Sequence, residues 1–196
     1  MKEKPAAARQ SLAHEVRIIG GQWKRTRLKV ADKPGLRPTP DRVRETLFNW
    51  LGQDLSGWRC MDVFAGTGAL GFEAASRGAA EVRMIEQNSA LVDQLRQVQI
   101  QLQASAVQIA RGDGVAALGR ANAASLDLVF LDPPFDSALY EAALLAAGRA
   151  IGLQGFVYLE APTLWTEEGL QVARLKLHRH LKAGAVHAHL LMRLPD

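Results

Sequence analysis

The sequence has few of the features that mark secreted, membrane-spanning or disulfide-stabilised proteins. Its 196 residues include a single cysteine, Cys60, which excludes an internal disulfide framework and a cysteine-rich zinc site. No apolar run approaches the ~18 residues that a membrane-spanning helix needs, and residues 1–15 lack the continuous apolar segment of a secretory signal. With 17 glycines and 8 prolines the chain is not a collagen-like or disordered polymer. We therefore expect a globular protein in the cytoplasm.

Positive charge is concentrated at the start of the chain. The net charge is +4, but residues 1–50 contain 12 Lys and Arg against 5 Asp and Glu, whereas residues 51–196 contain 12 against 15. This asymmetry favours a polyanion-binding arm joined to a neutral or acidic catalytic body. A solubilising tail is the alternative that composition leaves open.

The first quarter of the chain predicts an arm followed by one helix. Two short apolar clusters, residues 16–19 and 28–30, flank Gly20 and Gly21 and predict a small hairpin or extended arm. Thr39, Pro40 and Asp41 fit the N-cap, first position and first turn of a helix that runs to about Leu51. We expect a flexible tail over residues 1–15, an arm and helix over 16–52, and the main domain over 53–196.

After Gly57 short apolar runs alternate with longer amphipathic segments. The predicted strands are Arg59–Phe64, Glu81–Glu86, Ala106–Ala110, Leu126–Leu131, Gly155–Glu160, Gln171–Leu181 and Val186–Arg193. The predicted helices are Ala69–Arg77, Ser89–Gln103, Gly114–Ala121, Ala138–Ile151 and Thr163–Glu168. The alternation predicts an α/β fold with a seven-stranded, mostly parallel sheet. Its last two strands, joined by residues 182–185, predict an antiparallel hairpin.

Ligands bind an open α/β sheet beyond the carboxyl ends of its strands, so the residues that follow each strand carry the functional prediction. Asp62 ends the first strand, and Gly66, Gly68 and Gly71 form a G-x-G-x-x-G pattern that opens a helix. Glycine lets backbone approach a ligand closely, although tight helix packing also explains such a pattern.

Two further strand ends carry acids that suit an adenosine. Glu86 ends the next strand, where an acid can bind both ribose hydroxyls. Asp113 follows the third strand and either accepts from an adenine amino group or caps a helix. These features alone do not separate NAD from S-adenosylmethionine. The predicted cofactor-binding residues are Asp62, Phe64, Ala65, Gly66, Thr67, Gly68, Glu86, Gln87, Asp113 and Gly114.

The fourth strand delivers Asp132, Pro133, Pro134 and Phe135 to the same edge. Both prolines lack an N–H and stiffen the backbone, so nearby carbonyls are free to accept hydrogen bonds. A carboxylate, the Pro133 carbonyl and an aromatic ring suit a planar base that bears an amino group. These four residues are the predicted catalytic residues. A Pro-Pro turn capped by Asp132 is the alternative, and a nicotinamide oxidoreductase has no use for this motif.

These motifs resemble those of the RsmD family of bacterial 16S rRNA (guanine-N2)-methyltransferases. The resemblance covers about residues 16–193, and it is carried by residues 17–23, 36–51, 62–71 and 132–135. It implies a Rossmann-like class I methyltransferase fold, S-adenosylmethionine as donor, and the exocyclic N2 of a guanine in the small ribosomal subunit as acceptor. The alanine-rich stretch 115–124 and the histidine-rich final hairpin depart from the family pattern. A DNA adenine-N6 or protein-amide methyltransferase and a non-catalytic RNA-binding module remain alternatives.

The basic arm is predicted to clamp RNA. We expect its cations to bind phosphates and Trp23 to stack on an unpaired base. We also expect the protein to act as a monomer. The predicted RNA-binding residues are Arg17, Trp23, Lys24, Arg25, Arg27, Arg37, Thr39, Arg42 and Arg44. A structural lid over the donor is the alternative.

The final hairpin contains four histidines. If Ala183 and Gly184 form a two-residue turn, His180 faces His187 and His178 faces His189, and all four share one strand face. We interpret this face as polar and half-exposed and expect no metal site.

Overall fold

A seven-stranded sheet organises the chain, and the computed structural model describes residues 15–29, 39–134 and 138–195. The strands are β1 (Glu15–Arg17), β2 (Arg27–Lys29), β3 (Arg59–Asp62), β4 (Glu81–Glu86), β5 (Val107–Arg111), β6 (Leu126–Leu131), β7 (Ile151–Ala161), β8 (Leu175–Ala183) and β9 (Val186–Arg193). The helices are α1 (Asp41–Leu51), α2 (Ala69–Ser76), α3 (Ser89–Leu102), α4 (Gly114–Gly119), α5 (Tyr140–Ala150) and α6 (Glu167–Val172).

The strand order of the sheet is β5-β4-β3-β6-β7-β9-β8. Strands β3 to β7 are parallel, and β9 is antiparallel to both β7 and β8. The chain moves outward from β3 in one direction and then from β6 in the other. The switch between β3 and β6 opens a crevice where the parallel strands end, and we call this side of the sheet the carboxyl edge. The predicted fold class is confirmed.

Each face of the sheet is covered by a separate hydrophobic cluster. Helices α1, α2 and α3 cover one face, and α4, α5 and α6 cover the other. Val16 and Leu28 of the β1–β2 hairpin lie in the same cluster as Leu47 and Phe48 of α1. The hairpin and α1 therefore pack on the core of the main sheet. The division of the chain at residue 52 stays a prediction. Among the described helices, none combines the length and the apolar character needed to span a membrane.

Several predicted element boundaries are wrong, and β7 is longer than predicted because it starts at Ile151 instead of Gly155. Pro40 rather than Thr39 is the N-cap of α1, and it provides no side-chain cap. Thr166 caps α6 by accepting a 3.2 Å hydrogen bond from the Gly169 N–H. The helix therefore occupies Glu167–Val172, later than predicted, and β8 starts only at Leu175.

The predicted pairing of the histidines is also wrong, because the hairpin turn lies one residue later than expected. Gly184, with φ +63°, and residue 185 connect the strands, so His180 is opposite His189 rather than His187. His178 falls at a bulge and its ring lies 6.0 Å from that of Phe156. His189 is fully buried, and its Nε2 accepts a 3.3 Å bond from the Trp165 N–H.

Candidate active site

Three carboxylates lie at the carboxyl edge on neighbouring strands. Asp62 is the last residue of β3, Asp132 follows β6 directly, and Glu160 is near the end of β7. Leu131 pairs with Leu159, so Asp132 comes next to Glu160. Since side chains alternate along a strand, Asp132 shares a face with Phe130, and Glu160 shares it with Tyr158. This face is the one that α1 covers.

Asp62 connects this edge to the start of α2. Its carboxylate is 3% exposed and accepts a 3.1 Å hydrogen bond from the Gly71 N–H. Burial, with a smaller contribution from the nearby charge of Glu86, raises the pKa of Asp62 to about 7. A buried acid that gains charge near neutral pH is suited to a cationic ligand group.

The glycine loop between β3 and α2 is held open by backbone conformation. Gly66 and Gly68 have φ of 51° and 81°, in the left-handed region that favours glycine. A Cβ on Gly68 would lie 2.6 Å from a Leu95 methyl group. Glu86 accepts hydrogen bonds from the N–H groups of Gly66, at 2.9 Å, and Asn88, at 2.8 Å. The end of β4 therefore braces the loop after β3.

Other predicted donor-binding residues lie around the same edge. Ala65 and Thr67 are buried and Phe64 is half-buried within the loop, while Gln87 is exposed beyond β4. Asp113 caps α4, because one of its carboxylate oxygens accepts a 3.0 Å hydrogen bond from the Ala116 N–H. The helix-capping role that the sequence left open is therefore present. A Cβ on Gly114 would lie 1.9 Å from the Val63 carbonyl oxygen, which explains glycine there by packing alone. Donor binding by Asp113 and Gly114 stays a prediction.

Asp132 is half-buried at the centre of the edge. Burial raises its pKa well above the ordinary value, and the charges of Glu160 and Asp62 raise it further. Pro133 is buried and Pro134 is exposed. Phe135, the fourth predicted catalytic residue, lies outside the described residues.

Glu160 was missed in the sequence analysis, although it ends a predicted apolar strand as Glu86 does. It is 4% exposed, and one carboxylate oxygen, Oε1, accepts bonds from the Thr39 hydroxyl at 2.7 Å and the Tyr158 hydroxyl at 2.8 Å. The prediction that Thr39 binds RNA is wrong, because the residue is 6% exposed and its hydroxyl is engaged inside the protein.

The prediction that Arg44 binds RNA is also wrong. Its side chain is fully buried in α1 and donates to the Thr39 carbonyl at 3.2 Å and the Arg17 carbonyl at 2.9 Å. It also forms ion pairs with Asp41 at 2.6 Å and Glu73 at 3.4 Å. Arg44 is thus an internal charge that neutralises buried and half-buried carboxylates.

Glu73 of α2 joins the hairpin to the domain. Its carboxylate accepts bonds of 2.8 Å from the N–H groups of both Ile19 and Gly20. It also forms a 2.8 Å ion pair with Arg77 and is itself fully buried. Neither Glu73 nor Arg77 was identified from the sequence as a link to the arm.

The basic turn of the hairpin contacts the end of α2 and lies away from the carboxyl edge, where Asp132 is. The N–H of Trp23 donates to the Ser76 hydroxyl at 3.0 Å, and Ser76 ends α2. Because α2 starts at the glycine loop and runs back past the sheet, its last turn lies away from the carboxyl edge. Lys24 and Arg25 are exposed here, while Trp23 is half-buried against the core. The turn therefore does not cover the carboxyl edge.

The remaining cations of the arm lie nearer α1. Arg17 and Arg27 are exposed and form ion pairs with Asp41, at 3.2 Å, and Glu15, at 3.0 Å. Arg42 is exposed on α1. Arg37 lies outside the described residues.

The fold is a doubly wound sheet. It carries a glycine loop after its first parallel strand, an acid after the second and Asp-Pro-Pro after the fourth. Together these features are those of a class I S-adenosylmethionine-dependent methyltransferase. A family model described as "Conserved hypothetical protein 95" matches residues 16–192. The chain belongs to this family, and the resemblance to RsmD proteins is confirmed. It is a methyltransferase, and its methyl donor is S-adenosylmethionine.

Curated relatives and a solved structure agree with this assignment. The Escherichia coli protein named "Ribosomal RNA small subunit methyltransferase D" is 40% identical over 183 residues, which are 91% of this chain and 90% of that protein. A Haemophilus influenzae protein of the same name is 41% identical over 151 residues, 74% of this chain and 78% of that protein. The solved structure of the Escherichia coli protein yhhF is 38% identical, with a TM-score of 0.77, and the match covers 93% of this chain and 100% of that one.

Proposed function

We propose that this protein transfers a methyl group from S-adenosylmethionine to the exocyclic N2 of a specific guanine in the RNA of the small ribosomal subunit. The names of the relatives support ribosomal RNA as the acceptor. The observation that carries the choice of an amino group is the position of Asp132 and Pro133, directly after β6 at the switch point of the sheet. There a carboxylate and a carbonyl can accept both hydrogens of one amino group.

The residues beside this position fit the methyl donor. The left-handed backbone of Gly66 and Gly68 turns the loop between β3 and α2 at the carboxyl edge. Glu86 is assigned to the ribose hydroxyls, Asp62 to the cationic methionine end, and Asp113 to the adenine amino group. When bound, the donor supplies a sulfonium methyl group that is electrophilic.

Asp132 and Pro133 prepare the acceptor nitrogen. Its lone pair is delocalised into the guanine ring, which makes it a poor nucleophile. Hydrogen bonds from its two N–H groups to Asp132 and the Pro133 carbonyl favour a more tetrahedral nitrogen with the lone pair aimed at the methyl group. Holding the partners about 3–3.5 Å apart supplies much of the acceleration. Asp132 takes the proton after positive charge has developed on the nitrogen, and Phe135 is assigned to stacking on the base.

The exposed cations of the arm are assigned to the RNA backbone. Lys24 and Arg25 lie away from the carboxyl edge, so they contact RNA outside the flipped guanine, which must leave its stack to reach Asp132. Arg17, Arg27 and Arg42 lie between these two regions, and Trp23 lies in the turn. Arg37 is assigned to RNA from the sequence alone. We propose that the protein works as a monomer in the cytoplasm.

A transfer assay tests the function directly. Labelled donor is offered with small ribosomal subunits, naked 16S rRNA and DNA, and the labelled nucleoside is identified. The expected product is N2-methylguanosine in the ribosomal RNA, absent with the Asp132→Asn variant. Label appearing as N6-methyladenine in DNA, or in protein, would overturn the proposed acceptor.

A further inference from the structure

Glu160 has no assigned role in methyl transfer. It lies on β7, the strand beside β6, next to the position of Asp132. The register of β6 and β7 brings the two residues side by side on one sheet face. Parallel strands lie about 4.8 Å apart, so the backbone positions of the two acids are separated by about one strand spacing. Glu160 is 4% exposed, and its charge raises the pKa of Asp132.

The orientation of Glu160 is set by two hydroxyl groups. Thr39 reaches it from the segment before α1, and Tyr158 reaches it from its own strand two residues earlier. Both bind the same oxygen, Oε1. Burial raises the pKa of Glu160, and these two hydrogen bonds oppose that rise, because a hydroxyl donor favours a charged acceptor. The second oxygen, Oε2, has no hydrogen bond to another described residue.

Among the residues that the structure describes, few other charged groups lie around Asp132 and Glu160. Asp62 on β3 is the remaining acid, and it interacts with Asp132. Glu86 acts on Asp62 rather than on the pair. From α1, Arg44 approaches through the Thr39 carbonyl, but its guanidinium pairs with Glu73 and Asp41. On β9 the residue opposite Glu160 is Ala188, which carries no charge.

We propose that Glu160 is a positioning residue that makes Asp132 a better proton acceptor during methyl transfer, and that Thr39 holds Glu160 in the ionised form. This inference rests on the proposed function. In the reaction the sulfur–methyl bond breaks and its electron pair stays on sulfur, which becomes a neutral thioether. The nitrogen–methyl bond forms from the nitrogen lone pair, and the cationic nitrogen loses one proton to Asp132. The negative charge of Glu160 favours that last transfer.

The first test is an NMR titration of Asp132, which needs neither donor nor RNA. Protein labelled at the aspartate carboxyl carbons is titrated, and the Asp132 signal is assigned by its loss in Asp132→Asn. In Glu160→Gln, which keeps an oxygen for Thr39 and Tyr158 but removes the charge, the Asp132 midpoint should fall by about one pH unit or more. Thr39→Val should move it in the same direction by less, and Thr39→Ser should leave it in place.

The matched control is Glu168→Gln, which makes the same chemical change at an exposed position of α6. It should not move the Asp132 midpoint. An unchanged midpoint in both Glu160→Gln and Thr39→Val overturns the proposal. If Glu160→Gln does not fold, the Thr39→Val and Thr39→Ser pair still decides it.

The second test follows the transfer rate under single-turnover conditions against pH. In Glu160→Gln the acid side of the profile should move to lower pH, the plateau should fall, and donor affinity should stay unchanged. A midpoint that moves by NMR with no change in the rate profile overturns the role in transfer. A wild-type protein that methylates no ribosomal RNA overturns the proposed function, while the titration still reports the relation between the two acids.

Discussion

The N–H of Gly66 donates a 2.9 Å hydrogen bond to the carboxylate of Glu86, so the acid assigned to the donor ribose also braces the glycine loop. Glu86 spans two structural elements, since its other oxygen accepts from the Asn88 N–H that precedes α3. Loop shape and ribose binding therefore depend on one side chain.

Changing Glu86 to Ala should weaken donor binding by about 1–3 kcal/mol, because charged hydrogen bonds to the donor and the brace on Gly66 are both lost. Isothermal titration calorimetry measures this. Glu86→Gln, which keeps one oxygen for the Gly66 N–H, should lose less affinity than Glu86→Ala. Equal and full affinity in both variants would contradict the assignment of Glu86 to the ribose.

Changing Asp132 to Ala should abolish methyl transfer while donor affinity stays nearly intact. The interaction with the amino group is made mainly in the transition state, so its loss lowers kcat rather than binding. Single-turnover transfer and calorimetry on the same preparation separate the two effects. A variant that keeps most of its turnover would show that Asp132 only stabilises the Pro-Pro turn.

The parts of the structure that were predictable have local causes. Strands Glu81–Glu86, Leu126–Leu131 and Val186–Arg193 have the predicted bounds because each is a short segment with buried apolar residues that lies between turn residues. The acids at strand ends follow from the same runs, since a parallel sheet brings its carboxyl ends to one edge.

The parts that were missed depend on contacts far apart in sequence. Thr39 and Glu160 are 121 residues apart, and no local pattern indicates that they meet. Arg44 was predicted to bind RNA because it lies in the basic first quarter of the chain, and only the fold reveals its partner Glu73, 29 residues away. The histidine register failed for a smaller reason, because moving the turn by one residue changes every cross-strand partner.

The raised pKa of Asp62 predicts a pH effect on stability. In the folded protein this pKa is about 7, against an ordinary value of 3.8, so the folded state holds the proton over a range in which the unfolded state has lost it. The contribution of Asp62 to stability is therefore present below about pH 4 and is lost as the pH rises to 7. Between pH 4 and 8 this loss is on the order of 2–4 kcal/mol.

Urea unfolding of the wild-type protein and Asp62→Asn at several pH values measures this difference. Asparagine keeps an oxygen for the Gly71 N–H but does not ionise, so the variant should gain stability relative to wild type as the pH rises. Comparing the two isolates the contribution of Asp62 together with its interaction with Asp132, whose pKa the charge of Asp62 raises. A constant difference across the range would contradict the raised pKa of Asp62.

The buried cluster around Glu73 predicts a strong effect on folding. Changing Glu73 to Ala leaves the buried guanidinium groups of Arg44 and Arg77 without their shared carboxylate, and frees the N–H groups of Ile19 and Gly20. Removing one partner from a buried ion pair costs about 3–5 kcal/mol. Denaturant unfolding should show a loss of this size. Glu81→Ala removes only the partly exposed pair with Arg83 and should cost at most about 1 kcal/mol.

The exposed cations of the hairpin predict a salt-dependent contribution to RNA binding. Changing Lys24, Arg25 and Arg27 together to Ala removes three exposed charges, and it also removes the ion pair of Arg27 with Glu15. Affinity for small-subunit RNA should fall, and the slope of log affinity against log salt should become shallower by up to about 3, because fewer counterions are released. Donor affinity should be unchanged, since the turn contacts the end of α2 away from the glycine loop.

Arg44→Ala provides the contrast, because its guanidinium lies inside the protein and contacts carboxylates and carbonyls of the chain itself. It should lower the free energy of unfolding, whereas the salt slope of the folded fraction should match wild type. The clamp is rejected if the triple variant keeps the wild-type salt slope and instead loses donor affinity, since the arm would then act on the donor site. If the triple variant has a shallower slope of log affinity against log salt and an unchanged donor affinity, the phosphate contacts lie on the hairpin that Ser76 anchors.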